Sequence, residues 1–176
     1  MGHVKKGCLH IYCGDGKGKT TAALGLALRA AGRGMKVVIA RFLKTEDSGE
    51  VKMLYQLPGI VLLPCKKNFG FTFSMGEEEK KEASRYCQEV FTHAVNLGQE
   101  ADLLIFDEVL AACNAGLLTK KCLEAFLDSR PQGLEVVLTG RNPWESLLSA
   151  ADYVTEMQAV KHPYQKGIYA RRGIEY

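Results

Sequence analysis

The sequence lacks the marks of a membrane, secreted or zinc-binding protein. Its longest apolar stretch, Ala22 to Leu28, is far shorter than the roughly 18 residues that a transmembrane helix requires. The first residues show neither an apolar signal-peptide core nor a myristoylation pattern. The six cysteines form no C-x-x-C pair. We therefore expect a cytoplasmic protein with no membrane partner, whose thiols are reduced and mostly buried.

The chain also has no excess of positive or negative charge outside residues 161–176. The 176 residues carry a net charge of +3, and residues 161–176 hold four basic side chains against Glu175. The rest of the chain is neutral, which argues against a nucleic-acid-binding surface. A basic tail remains suited to a single polyanionic ligand. Within this tail, we expect His162 to act as a hydrogen-bonding loop residue rather than a metal ligand.

What the sequence does have is a regular alternation of apolar runs and helical patterns. Several runs are almost continuous Val, Ile and Leu, which is typical of parallel strands covered on both faces. The predicted strands are Cys8–Tyr12, Lys36–Phe42, Ile60–Leu63, Leu103–Phe106, Glu135–Leu138 and Tyr153–Met157. The alternation predicts an α/β fold with a mainly parallel sheet flanked by helices, in one domain spanning residues 1–176.

Four helices are predicted between these strands. They cover Thr20–Ala31 with Gly32 as a left-handed cap, Glu77–Leu97, a segment capped by Thr119 that ends before Arg130-Pro131, and a segment with Asn142 as N-cap and Pro143 as first residue that ends at Ser149. Two stretches fit neither pattern: the polar, turn-like Thr45–Glu50 and the aromatic-containing Lys66–Met75. Loops at the carboxyl ends of parallel strands bind ligands in such folds, so both are candidate site loops.

The strongest functional signal is the glycine-rich run Gly14-Asp-Gly-Lys-Gly-Lys-Thr-Thr21, between the first strand and the first helix. This is the setting of a P-loop, whose backbone N–H groups and helix N-terminus bind phosphate. Lys19 would reach phosphate oxygens, and the Thr20 hydroxyl would bind Mg²⁺. In this chain Cys13 stands where the usual pattern has its first glycine.

A second signal is the apolar strand that ends in Asp107-Glu108. In a P-loop protein such a strand lies near the phosphate site and offers an acid to the Mg²⁺ shell. The two motifs together predict the binding of a nucleoside triphosphate. They leave open whether the protein is a hydrolase, a kinase, a switch or an alkyl transferase.

Three aromatic residues, Phe69, Phe71 and Phe73, alternate within the Lys66–Met75 stretch. They fit two readings equally well. One is an edge strand that buries one face, and the other is an apolar wall over a flat, bulky ligand, with Gly70 allowing a close approach.

The chain resembles the P-loop type of ATP:corrinoid (cob(I)alamin) adenosyltransferases. The resemblance rests on Gly14–Ala23, Arg29–Gly34, Gly70–Phe73, Asp107-Glu108, Arg130-Pro131, Thr139–Arg141, Ala151-Asp152, Val160–His162 and Gly173–Tyr176. It implies a RecA-like P-loop fold and transfer of the 5′-deoxyadenosyl group of MgATP to the cobalt of a reduced corrinoid. In this reaction the triphosphate leaves as a unit. The resemblance places the reaction in cobalamin biosynthesis or salvage.

The resemblance also implies roles for individual residues. The nucleotide would be bound by Gly14, Asp15, Gly16, Lys17, Gly18, Lys19, Thr20, Thr21 and Arg29. Lys19 would stabilise the leaving triphosphate, and Thr20 and Glu108 would hold Mg²⁺. Phe71 and Phe73 would lie against the lower face of the corrin ring, which keeps the cobalt four-coordinate and easier to reduce.

The family further implies a homodimer and an electron-donor flavoprotein that supplies cob(I)alamin. Two alternatives remain open. One is a P-loop nucleoside kinase of the thymidine-kinase type. The pattern of such enzymes includes paired zinc-binding cysteines, and this sequence has no C-x-x-C pair. The other is a non-catalytic ATP-dependent switch or corrinoid-delivery module.

Overall fold

The apolar runs form one sheet of six parallel strands, in the order β3-β2-β4-β5-β1-β6. The computed structural model describes residues 6–65 and 75–176. The strands are β1 (Leu9–Cys13), β2 (Val37–Arg41), β3 (Ile60–Leu62), β4 (Leu103–Asp107), β5 (Glu135–Thr139) and β6 (Tyr153–Glu156). The α/β prediction is confirmed, and the strand bounds agree with the predicted ones to within one residue.

Helices cover both faces of the sheet. They are α1 (Lys19–Ala31), α2 (Gly49–Leu54), α3 (Glu77–Gly98), α4 (Val109–Asn114), α5 (Lys120–Ser129) and α6 (Glu145–Ala150). A 3₁₀ turn, Pro163–Lys166, follows β6. No helix among residues 6–65 and 75–176 is long and apolar enough to cross a membrane.

The core lies in two layers, one on each side of the sheet. On one side α1 packs the small residues Ala23 and Ala27 against the sheet. Because these side chains are short, the helix lies close to the strands. On the other side Phe106 of β4 stacks on Phe91 of α3 at 5.3 Å and meets Phe126 of α5 edge-on at 5.7 Å. The central strand β4 is therefore buried on both faces, which explains its unbroken apolar run.

Two predicted caps are wrong. Gly32 follows α1 in a right-handed conformation, and the left-handed turn falls two residues later at Gly34. The helix predicted from Asn142-Pro143 begins instead at Glu145. Residues 142–144 are held outside the helix by tertiary contacts, since Asn114 Nδ2 donates to the Asn142 carbonyl and Trp144 Nε1 donates to Glu124.

Two short helices were missed. The polar stretch Thr45–Glu50 is only partly a loop, because α2 begins at Gly49 within it. α4 follows Glu108 directly and buries four of its six residues, so its sequence has no amphipathic period to reveal it. The Thr119 prediction is confirmed, since its side chain accepts a hydrogen bond from Cys122 N at the start of α5.

Candidate nucleotide site

The P-loop connects β1 to α1 at the carboxyl edge of the sheet, where the sequence places it. Gly18 is left-handed and precedes the first residue of α1, Lys19. The Lys19 side chain is buried, and its ammonium donates to the carbonyl oxygens of Gly14 (2.7 Å) and Gly16 (2.9 Å). Burial lowers the pKa of Lys19, and the charge of Glu108 opposes that shift. A buried cation is thus held inside the curve of the loop.

The glycines of the loop have a second purpose that the motif alone did not reveal. The segment after β6 lies directly against the loop, with Gly16 N donating to Met157 O at 2.6 Å. A Cβ atom at Gly14 or Gly16 would lie within 2.6 Å of that same carbonyl oxygen. These two glycines are therefore required by the packing of the loop against the last strand, whatever they contribute to phosphate binding.

The start of α1 and the ends of the adjacent strands β4 and β5 contribute to one hydrogen-bonded network beside the loop. Thr20 at the start of α1 donates to Asp107 Oδ1 at 2.8 Å, and Thr139 at the end of β5 donates to the same oxygen at 2.7 Å. The Thr139 hydroxyl in turn accepts from Glu108 N at 2.8 Å. Since Thr20 donates its proton to Asp107, its hydroxyl oxygen can act only as an acceptor or a metal ligand towards other groups.

The carboxylates Asp107 and Glu108 lie in different surroundings despite their adjacency. Asp107 is 1% exposed, and its Oδ2 has no hydrogen-bond partner among the residues described, although Lys44 Nζ lies 3.5 Å away. Glu108 adopts a left-handed conformation with φ of 60°, uncommon for a side chain of this size, and faces the cleft. Burial, followed by the negative charge of Asp107, raises the pKa of the Glu108 carboxyl.

A cleft of about 950 Å³ opens above this network. Residues 15–21 line it together with Glu108, so most of the predicted nucleotide-binding residues and both predicted metal ligands come together. Across the cleft mouth, Arg141 Nη1 donates to Asp15 Oδ1 at 3.0 Å. Arg29 is exposed on the last turn of α1 and does not belong to the described residues that line the cleft.

Other candidate residues are placed as follows. Phe69, Phe71 and Phe73 lie outside the described residues, so the aromatic wall stays a prediction. His162 lines the cleft, and its Nδ1 accepts from Tyr164 N at 3.3 Å, as expected of a hydrogen-bonding loop residue. The sequence reading gave no role to Lys44, Thr139 or Arg141. Lys44 was marked only by its position after a predicted strand at the carboxyl edge, whereas Thr139 and Arg141 belong to a segment that carries the family resemblance.

The residues present suit a cation bound together with phosphate rather than a site built from protein ligands alone. Within residues 6–65 and 75–176 there is no cluster of three or more His, Cys, Asp or Glu side chains that could hold a metal. The Thr20 hydroxyl, the unpartnered Asp107 oxygen and the Glu108 carboxylate nevertheless offer hard oxygen ligands. Mg²⁺ is commonly held by one or two such ligands plus substrate phosphates.

Comparison with known proteins gives one consistent family. Residues 5–176 match the model of the family described as "ATP:corrinoid adenosyltransferase BtuR/CobO/CobP". The chain is 34% identical over 175 residues to the corrinoid adenosyltransferase of Escherichia coli (strain K12), covering 98% of this chain and 87% of the relative. It is 32% identical over 173 residues to that of Pseudomonas aeruginosa, with 98% and 85% covered.

A third relative, the corrinoid adenosyltransferase CobA of Salmonella typhimurium, is 32% identical over 175 residues, which cover 98% of this chain and 87% of the relative. These matches extend over nearly the whole chain and include the P-loop and the strand that ends in Asp107. The family inferred from the motifs is confirmed, and so is the prediction that the protein is an adenosyltransferase. The chain belongs to the family of ATP:corrinoid adenosyltransferases.

Proposed function

We propose that this chain binds the triphosphate of ATP in the P-loop cleft while the 5′-deoxyadenosyl group passes to the cobalt of a reduced corrinoid. In this reaction the cobalt donates an electron pair to the ribose C5′, the C5′–O bond breaks, and the triphosphate leaves with the bonding electrons. The observation that carries the proposal is the buried ammonium of Lys19 inside the loop, in a chain that matches the family almost end to end.

The contacts of Lys19 support a role on the leaving group. Its ammonium is held by two loop carbonyls, Gly14 O and Gly16 O, and it already bears the cost of burial. A phosphate oxygen in the loop would add the anionic partner that these neutral carbonyls cannot supply. Negative charge grows on the triphosphate as the C5′–O bond breaks, so a fixed cation here stabilises the transition state more than the ground state.

Thr20 and Glu108 are the proposed ligands of Mg²⁺. Asp107 holds the Thr20 hydroxyl with its proton directed away from the cleft, and Glu108 places a carboxylate on the cleft wall. When bound, the metal would neutralise charge on the triphosphate. A cation beside Glu108 would also offset the repulsion from Asp107 that raises the pKa of Glu108.

Three further features stay proposals that rest on family resemblance. They are the apolar wall formed by Phe71 and Phe73 against the corrin ring, a homodimer, and a flavoprotein that reduces the corrinoid in the cytoplasm. Arg29 as a nucleotide contact joins them, because it lies at the far end of α1 from Lys19.

The test is an anaerobic assay with MgATP and chemically reduced cob(I)alamin. We expect light-sensitive adenosylcobalamin and intact triphosphate in equal amounts. The Lys19→Ala variant should lose about 10²–10³-fold in turnover, the effect of removing one preorganised charge-stabilising group. Lys52→Ala, an exposed lysine on α2, is the matched control and should keep full turnover.

Three results would contradict the proposal. Full turnover by the Lys19→Ala variant would remove the P-loop from the reaction. Tight ATP binding by the wild type without any adenosylated product would favour the switch or delivery module, and phosphorylation of a nucleoside would favour the kinase.

A further inference from the structure

Lys44 lies where the proposed metal would bind. Its Nζ is 3.3 Å from Thr20 Oγ1 and 3.5 Å from Asp107 Oδ2, and its side chain lines the same cleft as Lys19. One ammonium therefore faces both the hydroxyl and the buried carboxylate of the network. It also opposes the raised pKa of Glu108, which burial and Asp107 cause, so it lies within electrostatic reach of this carboxylate as well.

The loop that carries Lys44 is firmly held. Arg41, at the end of β2, is 2% exposed and donates from Nη1 to Thr45 O at 3.0 Å and from Nη2 to Glu46 Oε1 at 2.7 Å. Phe42 N donates to Asp107 O at 2.8 Å, which joins this loop to β4. These contacts fix the backbone on both sides of Lys44.

Leu43, the residue before Lys44, is left-handed with φ of 53°. Leucine rarely adopts this conformation, which is strained and persists only where the surroundings impose it. The Leu43 side chain packs against the core, so the strain is held in place by burial and by the hydrogen bonds around it. The result is a loop that directs the Lys44 side chain into the cleft.

The contacts of Lys44 compete with those of a metal ion. The Thr20 hydroxyl donates to Asp107 and accepts a hydrogen bond from Lys44. Lys44 therefore occupies a lone pair of the Thr20 oxygen that a metal ion would need. A divalent cation bound to Thr20 would lie within a few ångströms of the ammonium and repel it. The Lys44 side chain is long and 27% exposed, so its ammonium can move within the cleft, away from Thr20 and Asp107.

We propose that Lys44 is a placeholder cation that neutralises the Thr20–Asp107 network in the nucleotide-free protein and moves to the triphosphate when a metal–nucleotide complex binds. The inference deepens the proposed function, on which it rests, by assigning a second lysine to the leaving group. It makes two predictions with opposite signs, because the same charge excludes a free metal ion and attracts the metal-bound triphosphate.

The test uses the full chain, Mn²⁺ and inorganic tripolyphosphate as probes. Free Mn²⁺ is followed by electron paramagnetic resonance, and tripolyphosphate binding by calorimetry at saturating Mn²⁺. In the Lys44→Gln variant, which replaces the charged ammonium by a neutral amide that can still donate to the Thr20 hydroxyl, we expect Mn²⁺ alone to bind at least threefold more tightly. We expect Mn²⁺–tripolyphosphate to bind about tenfold more weakly, the loss of one charge-assisted hydrogen bond.

Two further variants make the result specific. Lys44→Arg keeps the charge and should restore tripolyphosphate binding to within about threefold of the wild type. Lys52→Gln, an exposed lysine of α2 outside the cleft, should change neither affinity.

The proposal is overturned if the Lys44→Gln variant changes neither affinity or lowers both, since a damaged fold would weaken both together. It is also overturned if Lys44→Arg behaves like Lys44→Gln. Failure of the wild type itself to bind Mn²⁺–tripolyphosphate would instead contradict the proposed function, and the two failures are thereby distinguished.

Discussion

The middle of the carboxyl edge of the sheet and its β6 side contain similar residues in opposite environments. In the middle, Thr139 is fully buried and joins Asp107 to the backbone of Glu108. On β6, all four residues are exposed, including Thr155, which pairs with β1 by its backbone. Strand pairing and hydrogen bonds next to its two ends hold β6 in the sheet, whereas the middle is held by a buried polar network as well.

The largest expected difference in stability loss between the two regions concerns two glycines with positive φ, Gly140 and Gly167. Gly140 follows β5 with φ of 144°, and a Cβ there would lie 2.6 Å from Leu110 Cβ. Gly140→Ala should therefore lower the free energy of unfolding by about 3 kcal/mol or more. Gly167 has φ of 77° with open space around it, so Gly167→Ala should cost only about 1 kcal/mol. Urea denaturation measures both, and equal losses would show that the middle is no more tightly packed than the tail.

A smaller difference is expected for the two threonines. Thr139→Val keeps the shape of the side chain but leaves the Glu108 N–H without its acceptor and removes a donor from Asp107. We expect a loss of about 1–3 kcal/mol in the free energy of unfolding. Thr155→Val on the exposed strand should change it by no more than about 0.5 kcal/mol. A loss at Thr155 as large as that at Thr139 would contradict the contrast between the two regions.

The smallest effect concerns the place where the β6 side is tied to the buried β1. Asp152 Oδ2 accepts from Leu9 N at 2.8 Å, and this hydrogen bond, ahead of the attraction of Lys6, holds the pKa of Asp152 below its ordinary value of 3.8. The folded state therefore favours the ionised carboxylate. Its contribution to stability is complete above pH 3.8 and is lost as the pH falls through the lowered pKa.

Asp152→Asn should accordingly lower the free energy of unfolding at pH 7 by less than about 1 kcal/mol. The difference from the wild type should shrink as the pH drops below 3.8. Denaturation curves at several pH values test this, with the exposed Asp47→Asn as a control. A difference that is constant with pH would show that the Asp152 charge has no part in tying the two regions together.

Much of the fold could be predicted because three of its strands are buried on both faces. The apolar runs of β2, β4 and β5 leave little choice of structure, and their bounds were predicted to within one residue. Short elements were harder. α4 is six residues long and largely buried, and α6 begins two residues later than predicted because Trp144 is held by Glu124, a residue distant in sequence.

Part of the candidate site was equally readable. Residues 15–21 and Glu108 lie together at one cleft, as expected from a glycine-rich loop and an acidic strand end in parallel strands. Lys44 and Thr139 were missed because a single lysine or threonine after a strand has many ordinary uses. Only their distances to Thr20 and Asp107 distinguish them.

The strand–helix alternation, the P-loop and the family could be recognised without a structure, because they depend on local apolar patterning and on residues adjacent in the chain. The tertiary structure decided which side chains share the site. It brought Thr20, Asp107 and Thr139 into one network across 119 residues of chain, and it placed Lys44 beside them through a strained loop. It also showed that Gly14 and Gly16 are required by Met157. Such contacts arise from the order of the strands in the sheet, which no local pattern encodes.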